Sequence, residues 1–148
     1  MTESIRVLIA DDHPLFRDGL TALLTDGPDT ELAGAATSGT EAVEMARETQ
    51  PDVVIMDLHM PGLNGIETVR RARERWPGLR VLYVTGYADA AVTGVETDDD
   101  PLIRKPFRMS ELATAVNRAL ERNRYAESRN VVPLGRDSRK RRKLRDTR

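Results

Sequence analysis

Three carboxylates, a hydroxyl and an ammonium group stand at the ends of apolar runs in this chain. The run "IRVLIA" leads into Asp11 and Asp12, "VVIM" into Asp57, "LRVLYV" into Thr85, and the shorter "PLIR" into Lys105. A carboxylate at the tip of a buried strand costs free energy unless something compensates it. If the tips converge, Asp11, Asp12 and Asp57 repel one another, which raises at least one pKa or destabilises the fold. A hard divalent cation removes that conflict. Oxygen-only ligands favour Mg²⁺ or a similar ion, with waters completing its octahedron. Such a cation holds phosphate oxygens during phosphoryl transfer. A carboxylate can itself be the nucleophile and become an aspartyl phosphate. Lys105 would then pair with one phosphate oxygen, and the Thr85 hydroxyl could hydrogen-bond another.

This chemistry needs a scaffold that brings distant residues to one edge. After the first apolar run, Phe16, Leu20, Leu23 and Leu24 recur at helical spacing. Pro14 suits the first turn of that helix, where a missing N–H costs little, and Gly27-Pro28 ends it. "TELAGAAT" is a weaker strand, and "SGTEAVEMARETQ" a second helix in which Ser38 and Glu41 have capping-box spacing. Pro51-Asp52 turns into the run that ends at Asp57, and the glycines and proline after it let the chain turn sharply away. Ile66, Val69, Ala72 and Trp76 mark a third helical face, stopped by Pro77-Gly78. A fourth strand, "LRVLYVTG", precedes "YADAAVTGVETDDDP", whose few apolar side chains predict a short or irregular helix. "PLIRKPF" predicts a short fifth strand, and Leu112, Val116, Ala119 and Leu120 the last helical face. Strands alternating with helices imply βαβ units in a doubly wound α/β fold, its parallel sheet covered on both faces. The crevice of such a sheet lies at the carboxyl ends of its strands, where all five polar residues fall.

The stretches "ADDHP", "MDLHMPGLNG", "VTGYAD" and "IRKPF" resemble, in order and spacing, the receiver domain of two-component response regulators, over about residues 5 to 122. The resemblance implies a flavodoxin-like five-stranded sheet in the order 2-1-3-4-5. It implies Asp57 as phosphoacceptor, served by a histidine kinase or a histidine phosphotransfer protein. Asp11 and Asp12 look like the acidic pair that holds Mg²⁺, with Asp57 and the backbone carbonyl of His59 as further ligands. Thr85 and Lys105 look like the switch hydroxyl and the phosphate-pairing lysine, and the Lys105–Pro106 bond is expected to be cis. One position departs from the family's pattern. Three residues before the lysine, receivers usually carry an aromatic side chain that swings with the hydroxyl; here stands Leu102, expected to stay packed. The segment from Thr85 to Lys105 resembles receivers attached to hybrid kinases more than those of transcription factors.

Taken singly, the same residues are ordinary. Asp11-Asp12 could be a strand end and a helix cap, Asp57 a solvated loop acid, Lys105 a surface lysine and Thr85 a strand-end residue. Their joint occurrence is what defines a site. His13 and His59 read as cap and loop residues without a side-chain role in chemistry. Asp98 to Asp100 read as a solvated turn before Pro101, and Trp76 as packing.

With 148 residues, 39% hydrophobic and 32% charged, the chain suits one domain with a real core. The absence of cysteine excludes a disulfide framework, a thiolate zinc site and a cysteine nucleophile. No run approaches the roughly 20 apolar residues of a membrane helix, and no targeting segment is visible, so a cytoplasmic place without membrane insertion is expected. Residues 1 to 120 carry 12 Lys+Arg against 20 Asp+Glu, a balance of −8, whereas residues 121 to 148 carry 11 against 4, a balance of +7. The expected division is a receiver over 1–124 and a basic, disordered tail over 125–148, with weak sequence-blind attraction to polyanions. The leading function is a stand-alone, phosphorylation-controlled binding module acting on a downstream protein, with a second copy of the chain as another candidate partner. Two rivals remain: a Mg²⁺-dependent hydrolase with an Asp nucleophile, and a nucleic-acid-associated protein acting through its tail. The hydrolase would place a second acid two residues after the nucleophile, where this chain has His59.

Overall fold

A computed structural model describes residues 4–27, 29–62, 64–86 and 100–130, with side chains to residue 121 in the last stretch. In chain order the elements are β1 (Ile5–Ala10), α1 (Pro14–Asp26), β2 (Thr30–Ala36), α2 (Gly39–Thr49), β3 (Val53–Asp57), α3 (Gly65–Arg75), β4 (Val81–Thr85), β5 (Leu102–Arg104) and α4 (Met109–Asn130). The strands form one sheet in the order β2-β1-β3-β4-β5. Every neighbouring pair is parallel, as the alternation of strands and helices predicts.

Successive side chains of a strand point to opposite faces of the sheet, and here both faces are covered. On one face Val7, Ile9 and Ile55 pack against Leu20 and Leu24 of α1 and Leu112 and Val116 of α4. On the other, Leu8, Val54 and Tyr83 pack against Ala42 and Ala46 of α2 and Val69 and Ala72 of α3. Two covered faces explain the unbroken apolar runs: β3 and β4 are buried at every position. Each fully buried Val, Leu or Ile contributes roughly 1.5–3 kcal/mol. Ser38 caps α2 by accepting the Glu41 N–H at 3.2 Å. The Glu41 carboxylate reaches back to the N–H and hydroxyl of Thr37 at 2.7 and 2.9 Å, one residue before a standard capping box would place it.

Some sequence expectations are corrected. Leu23 is 44% exposed, because Leu20 and Leu24 take the side of α1 that meets the sheet. Leu102 is 43% exposed rather than packed. Period-2 alternation on the edge strand turns Ile103 toward the core and Leu102 away from it. Asp100 belongs to no solvated turn: it is buried, and its two carboxylate oxygens accept from Arg73 of α3 at 2.7 and 2.9 Å. Arg73 also donates to the Leu79 carbonyl at 2.7 Å, so one guanidinium ties α3 to the chain before β4 and before β5. The helix expected in "YADAAVTGVETDDDP" falls on residues 87–99, outside the described ones, as do 131–148. Helix α4 runs through Tyr125 to Asn130.

Candidate functional site

The carboxyl ends of β1, β3, β4 and β5 meet at one edge of the sheet. Asp11 follows β1 directly, held by its N–H donating to the Ala36 carbonyl at 3.0 Å, and its own carbonyl accepts from Arg17 at 2.8 Å. Asp57 and Thr85 are the last residues of β3 and β4, and both are buried. Lys105 follows β5, its N–H donating to the Thr85 carbonyl at 2.8 Å, and the Lys105–Pro106 bond is cis. The residues predicted to meet are thus brought together.

Gly65 lets α3 begin against this edge. Its N–H donates to the Leu58 carbonyl at 3.0 Å, and a Cβ at this position would stand 2.3 Å from the Asp57 carbonyl oxygen. No other residue type permits that approach. Gly62, with φ of 79°, makes the preceding turn in a region that side chains rarely adopt.

Within the pocket, Asp11 Oδ2 accepts from Lys105 Nζ at 3.0 Å, while Asp11 Oδ1 accepts from the His13 N–H at 2.8 Å. Lys105 Nζ also lies 3.9 Å from the centre of the Phe16 ring, which meets Phe107 edge to face at 5.7 Å. Lys105 therefore sits on Asp11 rather than on Asp57. Asp57 Oδ1 accepts from the His59 N–H at 3.2 Å, whereas Asp57 Oδ2 and the Thr85 hydroxyl are buried without a hydrogen-bond partner. Burial pushes the Asp57 carboxyl up to about 6, and the neighbouring Asp11 charge pushes the same way. The His59 N–H, Lys105 and His13 oppose that rise.

Asp11, Asp12, His13 and Asp57 each offer a donor atom within 4.8 Å of the others. Asp12 Oδ1, like Asp57 Oδ2, is buried with no hydrogen-bond partner. Hard oxygen donors left unsatisfied at this spacing fit a divalent cation. A cleft of about 730 Å³, lined by Asp12, His13, His59, Gly86 and Lys105 among others, opens beside them. The sequence did not single out the His13 side chain, the aromatic support of Lys105, or Gly65. Adjacency to the acid pair was the available signal for His13; the Phe16–Lys105 contact left none.

A family model described as "Response regulator receiver domain" matches residues 7–117. The nitrate/nitrite response regulator NarL of Escherichia coli K12 is 32% identical over 119 residues, covering 79% of this chain and 55% of NarL. The response regulator GacA of Pseudomonas viridiflava is 46% identical over 81 residues, covering 55% of this chain and 38% of GacA. This chain thus spans about half the length, or less, of these curated relatives. A crystal structure of a response regulator receiver domain protein from Clostridium thermocellum superposes with a TM-score of 0.69 at 28% identity, covering 82% of this chain and 98% of that one. A match over most of the chain, on a sheet of this strand order, makes the chain a member of the response regulator receiver domain family.

Proposed function

We propose that the protein is a signalling module whose Asp57 takes a phosphoryl group from a histidine kinase or a histidine phosphotransfer protein. The observation that carries this is Asp57 Oδ2: a buried carboxylate oxygen with no hydrogen-bond partner, at a strand tip shared with Asp11 and Lys105. A lone pair on this oxygen attacks phosphorus. The bond from phosphorus to the donor's imidazole nitrogen breaks, and its electron pair leaves with the imidazole. Asp57 must be ionised to attack, and a pKa of about 6 leaves it largely so at neutral pH. Lys105 gives up Asp11 for a phosphoryl oxygen, and the Thr85 hydroxyl donates to another. A Mg²⁺ held by Asp11, Asp12, Asp57 and the His59 backbone carbonyl would supply positive charge to the transferring oxygens.

Output follows by phosphorylation-dependent binding of a downstream protein or of a second copy of the chain. No described helix is long and apolar enough to cross a membrane, and a cytoplasmic place is part of this proposal. The hydrolase alternative is not favoured, since His59 stands where its general acid would be. Acetyl phosphate with Mg²⁺ is expected to phosphorylate Asp57, and a chelator to prevent it. Labelling that persists in full on Asp57→Ala, or steady turnover of the phosphate ester, would overturn the proposal.

A further inference from the structure

The His13 imidazole takes no part in the transfer proposed above, yet it points into the acidic pocket. Its Nδ1 lies 3.1 Å from Asp11 Oδ1, 3.4 Å from Asp12 Oδ1 and 3.7 Å from Asp57 Oδ2. The ring is 63% exposed, so burial does not force that nitrogen inward. Nor does it cap α1: His13 holds the N-cap position with no side-chain cap bond. Two of the three facing oxygens, Asp12 Oδ1 and Asp57 Oδ2, are buried with no hydrogen-bond partner.

We propose that His13 is a metal ligand, and that Asp11, Asp12, His13 and Asp57 together hold a borderline transition ion of the Zn²⁺ class more tightly than Mg²⁺. Donors about 2.0–2.1 Å from a tetrahedral Zn²⁺ lie about 3.3 Å from one another. The three His13 distances bracket that spacing. Imidazole nitrogen suits zinc, copper and nickel, whereas an oxygen-only set suits Mg²⁺. The inference rests on the acidic pocket being a metal site, and it adds a consequence. Four protein donors leave a tetrahedral ion no open position. Such an ion would hold Asp57 Oδ2 and keep a phosphodonor from it.

Titration calorimetry of the full chain with Zn²⁺ and, separately, Mg²⁺ tests this on the parent, His13→Ala and His13→Gln. The glutamine variant keeps a hydrogen-bond donor for Asp11 but is a poor zinc ligand. Thermal melts without metal check that each variant folds. Both substitutions are expected to weaken Zn²⁺ by at least about tenfold, a loss that even an outer-shell partner can cause. Mg²⁺ affinity should change little. Co²⁺ as a probe should show the intense visible absorption of a tetrahedral site in the parent and lose it in both variants. Unchanged Zn²⁺ affinity in the variants, with Mg²⁺ still bound, would overturn the His13 assignment and leave the phosphorylation proposal standing. Zn²⁺ binding that depends on His13 without any Mg²⁺ binding would support the assignment and undercut the Mg²⁺-dependent reaction. Failure of the parent to bind either ion would sink both.

Discussion

At the residue scale, burial and the neighbouring Asp11 charge both weigh against an ionised Asp57. Its folded pKa of about 6 lies above the ordinary 3.8. Between those values the folded state binds the proton that the unfolded chain has released, so stability falls as pH rises through the window. Above pH 6 the loss is complete: about two pH units at about 1.4 kcal/mol each, on the order of 3 kcal/mol without metal. Asp57→Asn removes the charge and keeps the shape. In a chelator, urea unfolding should find this variant more stable than the parent by about 1–3 kcal/mol at pH 7, and nearly equal to it at pH 4. An equal gap at both values would show that crowding of charge is not what burdens the site. The sequence foretold this crowding, because acids at strand ends must converge once the strands are parallel. It foretold neither the direction of the His13 ring nor the seat of Lys105 over Phe16. Both depend on rotamers chosen by neighbours that spacing does not specify.

Two contacts govern how the elements meet. Because the Asp57 carbonyl oxygen would lie 2.3 Å from a Cβ at position 65, Gly65→Ala must push α3 or the β3 tip aside. A loss of about 1–3 kcal/mol is expected, as for other overpacked contacts. The rate of Asp57 phosphorylation should drop more than stability alone explains, and a variant with lower stability but unchanged rate would contradict this. Arg73 and Asp100 form the second contact. Arg73→Leu removes the bidentate guanidinium from the buried Asp100 carboxylate and should cost about 1.5–3 kcal/mol in chemical denaturation. A change below 1 kcal/mol, an order-of-magnitude threshold for exposed pairs, would place the bridge among surface interactions. Helical spacing and apolar runs were enough to read the described strands and helices. The Asp100 bridge was not readable: its partner lies 27 residues earlier on another element, and a run of aspartates before proline looks solvated.

The whole molecule is electrically lopsided, with −8 over residues 1 to 120 and +7 over the remainder. Opposite charges on one chain attract across short distances and are screened over about 8 Å at physiological ionic strength. Residues 131–148 hold most of the positive charge, 8 Lys+Arg against 2 Asp+Glu. A chain ending at Asn130, where α4 ends, should keep its thermal stability and its phosphorylation rate. The full chain should bind DNA weakly and without sequence preference, with an affinity that falls steeply as salt rises. Binding that survives high salt, or a truncated chain that cannot be phosphorylated, would give the tail a specific task. Composition made the lopsidedness plain from the start. The end of the last helix was not plain, since the polar, charged sequence after Leu120 continues a helix without an apolar face to announce it.

The bond between Lys105 and Asp11 joins residues 94 positions apart. Chains emerge from synthesis from the N-terminus at roughly 5–20 residues per second. For several seconds, then, a nascent chain presents Asp11, Asp12 and Asp57 with no lysine to meet them. Its β1 must also wait for β3 before it becomes an interior strand. Contacts this distant in sequence form late and together, because loop closure must precede them. The pocket is thus assembled only when nearly the whole fold has been made, and a chain interrupted before Lys105 would carry every acid of the site and no working centre.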